Sequence, residues 1–159
     1  MLVASKNENF LDQNIDWEFP IPIAYGPGRL SEIGLFCEQF QISNPLIITD
    51  EGSKNLPFIN RLITLLQKAS IPSKLFFGVS PNPRDDEIMA GCETYRSGKH
   101  DSIIAIGGGS AMDGAKAIGM TVNSGVNLWD FEYRKPSPKI GSKNCFPTFI
   151  TVPTTAGTG

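Results

Sequence analysis

At 159 residues, with 40% apolar and 19% charged side chains, the chain suits one folded domain and excludes wholesale disorder. Its 14 Lys and Arg against 16 Asp and Glu leave a net charge of −2, with no surplus for gripping a nucleic-acid backbone. The apolar runs are strand-sized, far short of the ~20 residues of a membrane-spanning helix, so neither nucleic acid nor membrane is an expected partner.

Residues 1–16 read as a polar leader, in which Lys6, Glu8, Asp12 and Asp16 interrupt any signal-peptide core. A soluble, cytoplasmic protein is therefore expected. Cys37, Cys92 and Cys145 form no C-x-x-C pair and read as reduced, buried thiols. Residues 17–25 are apolar and carry Pro20 and Pro22, which suits edge strands, because proline cannot donate to a sheet ladder. Gly26, Pro27 and Gly28 form a turn, and Leu30, Ile33, Gly34 and Cys37 fall at helical spacing over 28–40.

A buried strand over 45–50 ends in Asp50. A helix over 57–69 follows, opened by Pro57 and faced by Leu62, Ile63, Leu65 and Leu66. Residues 73–79 form the next strand, and Pro81-Asn82-Pro83 the next loop. Asp85, Asp86 and Glu87 then suit the positive end of a helix, with Ile88, Cys92 and Tyr95 as its apolar stripe. A third strand over 102–106 runs into Gly107-Gly108-Gly109-Ser110 and a small-residue helix over 110–121. Residues 122–146 read as irregular and 146–152 as a last strand.

Strand and helix alternate about every 28 residues, which predicts an α/β fold: a Rossmann-like parallel sheet with helices on both faces. Ligands of such sheets sit at the carboxyl ends of the strands. Asp50, Asn82, the 107–110 loop and Pro153-Thr154-Thr155 all follow a predicted strand, so they should gather at one edge.

The glycine loop is the strongest chemical signal. Three glycines allow a sharp turn and close backbone approach, and the helix start beyond them offers free amides to a pyrophosphate. Ser110 can cap the helix or donate to a phosphate. The pattern lacks the lysine spacing of a P-loop, and Met112 stands where the common dinucleotide fingerprint has glycine. It gives an anion site without naming the cofactor. A tight structural turn would look the same.

Asp113 lies on the first turn of that helix, facing the ligand edge or pairing with Lys116. Asp50 can accept hydrogen bonds from both hydroxyls of a ribose and would repel a 2′-phosphate, which favours NAD over NADP. It can equally be an ordinary loop acid. Asn82, stiffened by two prolines, is a cleft residue or a simple turn residue. Thr154, Thr155 and Thr158 supply hydroxyls among small residues, or a plain polar loop. His100 has no second histidine to join it in a metal site.

Two segments, Gly107-Gly-Gly-Ser-Ala-Met-Asp113-Gly-Ala-Lys116 and Val152-Pro-Thr-Thr-Ala-Gly-Thr-Gly159, resemble the signatures of the iron-containing (group III) alcohol dehydrogenases. Tyr25-Gly-Pro-Gly-Arg-Leu30, Thr49-Asp50 and Pro81-Asn-Pro83 resemble further family elements in the same order. The resemblance covers residues 17–159. It implies a dinucleotide-binding domain there, followed in the family by a helical domain that carries the metal. It implies hydride transfer between alcohols and aldehydes or ketones with NAD(P), usually with Fe(II).

Carried over by position, Asp50 would contact the adenosine ribose. Gly108, Gly109 and Ser110 would hold the pyrophosphate with Asp113 nearby. Asn82 would border the cleft, and Thr154, Thr155 and Thr158 would line it. The family's metal ligands, one aspartate and three histidines, lie beyond Gly159, so no catalytic or metal residue is expected in this chain. The chain reads as a half-enzyme, inactive alone, that works in a full-length homo-oligomer on a small alcohol or aldehyde. Two alternatives stay open: a non-catalytic nucleotide-binding module, and an enzyme of dehydroquinate synthase or glycerol dehydrogenase type on the same scaffold.

Overall fold

A computed structural model describes residues 15–18, 21–141 and 146–156. The leader lies outside these, except that Ile15 and Asp16 belong to the first strand. Strand β1 (Ile15–Glu18) pairs antiparallel with β2 (Pro22–Tyr25), with Ile15 opposite Tyr25 and Glu18 opposite Pro22. Gly26 and Gly28, both at positive φ, turn the chain into a 3-10 turn at Arg29–Glu32 and then helix α1 (Ile33–Gln39).

Four strands form the main sheet: β3 (Pro45–Asp50), β4 (Lys74–Val79), β5 (Ser102–Gly107) and β6 (Thr148–Pro153). Their order is β4-β3-β5-β6, and every pairing is parallel. Helices α2 (Pro57–Lys68), α3 (Asp85–Ser97) and α4 (Gly109–Thr121) make the crossovers. The expected elements are all present, most with ends shifted by one or two residues; the helix expected over 28–40 starts as the 3-10 turn Arg29–Glu32 and is α-helical only from Ile33. Among its described residues, the 122–146 stretch contains a short 3-10 turn, Leu128–Phe131, whose start is capped by the Asn127 side chain.

Alternation along the central strands sorts the core into two layers. Leu46, Ile48, Ile103 and Ala105 face α3 and α4, where Ile88, Cys92, Tyr95, Ala115 and Ile118 meet them. Ile47, Ile104 and Ile106 face α1 and α2, where Ile33, Cys37, Ile59, Leu62 and Leu66 meet them. Burial of each large aliphatic side chain contributes roughly 1.5–3 kcal/mol. Helix α4 lies close on the sheet because its inner positions are small. A β-carbon on Gly114 would stand 2.7 Å from Val79 Cγ1, and one on Gly119 would stand 3.2 Å from the Phe149 ring.

The amino ends of β3 and β5 are tied together by polar groups. Asp101 Oδ2 accepts from the Ser43 amide, the Ser43 hydroxyl and the Asn44 amide, at 2.6–3.0 Å. The Asn44 side chain donates to the Gly98 and Lys99 carbonyls, and His100 Nδ1 lies 2.9 Å from the Asn44 carbonyl oxygen. Burial works against the Asp101 carboxylate, but hydrogen bonds from Ser43, Ser102 and Asn44 outweigh it and hold its pKa below the ordinary value.

Burial, with a smaller contribution from the Asp101 charge, pushes the Cys37 thiol up to about 11 and the Tyr95 phenol up to about 12. Both groups ionise more readily in the unfolded chain. The stability they contribute is complete below the unfolded pKa of each and is lost as pH rises through the folded value. Stability against urea should therefore hold to about pH 9 and fall between about pH 9 and 12. Urea melts across that range check this, and a Cys37→Ala variant should lose part of the earlier decline, the rest belonging to Cys92, whose thiol pKa is also raised by burial.

Candidate functional site

All four carboxyl ends of the main sheet lie on one rim, because every pairing is parallel. Strands β3 and β5 are neighbours there, yet the chain leaves β3 for α2 on one face and β5 for α4 on the other. Such divergence opens a crevice at the strand ends. Asp50 and Gly107 flank it.

Gly107 has φ +145°, a conformation that side-chain-bearing residues rarely adopt. A β-carbon there would stand 2.8 Å from Ala111 Cβ, 3.1 Å from Asp50 Oδ2 and 3.3 Å from Thr49 Oγ1. The glycine is thus required by the turn itself. Gly108 is the cap residue of α4 and has no side chain to satisfy the helix start. The first in-helix bond runs from the Met112 amide to the Gly108 carbonyl, 3.1 Å. The amides of Gly109, Ser110 and Ala111 therefore stand outside the helix's own ladder, at its positive end. A β-carbon on Gly109 would meet nothing within 4 Å, so this face of the loop is open.

The half-buried Asp50 carboxylate is fixed by one residue. Its Oδ1 accepts from the Ser53 amide at 2.9 Å and its Oδ2 from the Ser53 hydroxyl at 2.8 Å. On the other side of the loop, the Thr154 amide donates to the Gly107 carbonyl at 2.8 Å, and Thr155 flanks Gly108. Both threonines are exposed. Asp50, the glycine loop, Thr154 and Thr155 are thus brought to one rim. Thr158 lies outside the described residues.

Ser110 sits beside the open amides, but its hydroxyl donates to the Pro81 carbonyl at 2.8 Å. In this arrangement its amide, rather than its hydroxyl, is what a phosphate would meet. The bond also ties the Pro81-Asn82-Pro83 loop to the rim. Asn82 is exposed there, and its carbonyl accepts from the Ser80 hydroxyl at 2.9 Å. The Ser80 amide and hydroxyl, together with the Arg84 amide, donate to Glu87, whose carboxyl is held below its ordinary pKa chiefly by the Arg84 amide. Asp113 is exposed one turn into α4, and among the described residues it forms no ion pair with Lys116.

Two neighbours of Asp50, Ser53 and Thr49, have no role assigned from the sequence, yet each carries a signal. Ser53 is a hydroxyl three residues after a strand-end acid, the spacing of a local side-chain bond. Thr49 is a polar residue inside an otherwise apolar strand. It is fully buried, and its Oγ1 has no hydrogen-bond partner among the described residues. An unsatisfied buried hydroxyl costs about 1–3 kcal/mol.

A groove of about 540 Å³ lies away from the rim, between α1 and α2, lined by Leu35, Ile42, Leu65 and Ala69 among others. Among the described residues no three His, Cys, Asp or Glu come together as a metal site. His100 precedes β5, at the opposite rim. No helix of the described residues is long and apolar enough to cross a membrane.

The family model for iron-containing alcohol dehydrogenase matches residues 20–159. A choline dehydrogenase from Bacillus subtilis (strain 168) is 34% identical over 143 residues, covering 90% of this chain and 35% of that protein. An alcohol dehydrogenase from Oenococcus oeni superposes with a TM-score of 0.74 at 30% identity, over 93% of this chain and 37% of that one. A sulfoacetaldehyde reductase from Bifidobacterium kashiwanohense, solved in complex with NAD+, gives 0.70 at 29% identity, over 84% and 34%. The chain spans about a third of the length of the relatives it matches. The Rossmann-like sheet, the order of the motifs along it and these matches together place the chain in the iron-containing alcohol dehydrogenase family.

Proposed function

We propose that this chain is the NAD-binding part of a cytoplasmic alcohol dehydrogenase that interconverts small alcohols with aldehydes or ketones. The observation that carries the reading is the rim at β3 and β5: open amides at the start of α4, a side-chain-free Gly109, and Asp50 across Gly107. The buried unpartnered Thr49 hydroxyl beside the rim and the open space at Gly109 fit a dinucleotide. The NAD+ bound by the Bifidobacterium relative supports the same choice.

When bound, NAD supplies the nicotinamide that takes or gives a hydride. The chain's own residues bind and orient it. The Gly109, Ser110 and Ala111 amides donate to the pyrophosphate oxygens. Asp50, whose rotamer Ser53 fixes before the cofactor binds, accepts from the adenosine ribose hydroxyls. Thr154 and Thr155 border the cofactor on the β6 side, Thr158 continues that border, and Asn82 borders it on the β4 side. Asp113 stands near the pyrophosphate, where it limits how much negative charge the loop accepts.

The metal implied by the family finds no ligand set among the described residues, so in this reading it belongs to other parts of the protein. The 159-residue chain then binds dinucleotide weakly and does not turn over alone. Assembly as a homo-oligomer belongs to the same reading.

Calorimetric titration with NAD and NADP tests it. A 2′-phosphate brought to about 4 Å from the Asp50 carboxylate is disfavoured by about 1–4 kcal/mol, so NAD should bind more tightly than NADP by about fivefold or more. Asp50→Asn should weaken NAD and narrow the gap. Equal affinity of the unmodified chain for both would reject the role given to Asp50.

A further inference from the structure

Resting on the dinucleotide reading, we infer that Thr49 is a positioning residue of the same site, acting through Asp50. Three observations lead there. Thr49 is fully buried beside the rim, and its hydroxyl has no partner. That hydroxyl and Asp50 Oδ2 both lie within 3.3 Å of the point a Gly107 β-carbon would occupy. The absence of that β-carbon leaves the two oxygens facing one small space. Both side-chain hydrogen bonds that Asp50 now accepts come from Ser53, in the β3–α2 loop.

A ribose donating two hydroxyls to Asp50 draws the carboxylate toward the crevice and away from Ser53. The donor waiting on that side is Thr49. Its hydroxyl bonds Oδ2 in the bound state and replaces the bond that Ser53 loosens. A valine at position 49 would fill the same space and remove an unsatisfied group, so the free chain has no structural need of the hydroxyl. Its use is realised only with a ribose in place.

The test compares the unmodified chain, Thr49→Val and Thr49→Ser, each titrated with ADP and with 2′-deoxy-ADP and each melted without ligand. The ratio of the two affinities isolates the ribose contact from any general loss of fold. A hydrogen bond to a charged group sets that ratio at about tenfold in the unmodified chain. Thr49→Val should melt no lower than the unmodified chain, yet its ratio should collapse to about twofold. Thr49→Ser, which keeps the hydroxyl, should retain the full ratio.

The same ratio in all three chains would overturn the role of Thr49 and leave the dinucleotide reading standing. A ratio lost equally in Thr49→Ser and Thr49→Val would overturn it too, since one of them keeps the donor. If the unmodified chain binds neither nucleotide, both this inference and the dinucleotide reading fall.

Discussion

Replacing Gly109 by aspartate should leave the fold as stable as before, or slightly more so, while weakening NAD binding by tenfold or more. The two effects oppose each other because one position serves two roles. As the first residue of α4, position 109 sits at the positive helix end, where a carboxylate contributes about 0.3–1 kcal/mol. Its side chain would enter open space, since nothing lies within 4 Å of an added β-carbon. Glycine is also the poorer helix former. The same carboxylate would stand where the pyrophosphate is proposed to bind. Repulsion at about 4 Å amounts to about 1–4 kcal/mol per charge in partly solvated surroundings. Thermal melting and calorimetric titration on one preparation read both effects. Raising the salt should recover part of the lost affinity by screening. If affinity and melting temperature are both unchanged, the loop is only a turn.

Two residues earlier, alanine at Gly107 should do the reverse and cost the fold itself. The backbone there has φ +145°, and the new β-carbon would press on Ala111 Cβ at 2.8 Å. Holding a side-chain-bearing residue in that region costs about 1–3 kcal/mol, and forcing a methyl into a packed junction a further 1–3 kcal/mol. The sum, about 2–6 kcal/mol, is a large share of the 5–15 kcal/mol that holds a typical domain together. A fall in melting temperature of roughly 5–20 °C is expected. Adding Ala111→Gly to the same chain should restore part of it by removing the steric contact but not the backbone strain. An unshifted melting curve for Gly107→Ala would contradict the turn described at this rim.

Much of the fold is legible because its strands are short apolar runs with hard stops. Residues 45–50 and 102–106 stop at an acid and at glycines, and both are strands in the structure. Helix α4 is legible as a run of small residues after the glycine loop, and those small residues bring it against Val79 and Phe149. The order β4-β3-β5-β6 is not written in any one segment. It depends on which helix covers which face. The gathering of Asp50 and Gly107 at one rim follows from the parallel-sheet rule. The partners of individual side chains do not. Ser110 reads as a phosphate donor, and only three-dimensional packing brings the Pro81 carbonyl, 29 residues away, to its hydroxyl. Thr49 is read only as part of the Thr49-Asp50 pair, with no role of its own, because an isolated threonine in a strand is unremarkable until its neighbours are known. The prolines that mark 17–25 as edge strands give no register, whereas the structure pairs Trp17 with Ile23.

The polar knot of Ser43, Asn44, Gly98 and Asp101 sits at the rim opposite Asp50 and Gly107. The sheet is therefore fastened at one end and exchangeable at the other. If the rim binds the nucleotide as proposed, changes at positions such as Asp50, Asn82 or Thr155 would retune which nucleotide is preferred without loosening the joint that keeps β3 beside β5. Drift in cofactor choice among descendants of this scaffold should accordingly be frequent at the carboxyl rim and rare at the amino rim.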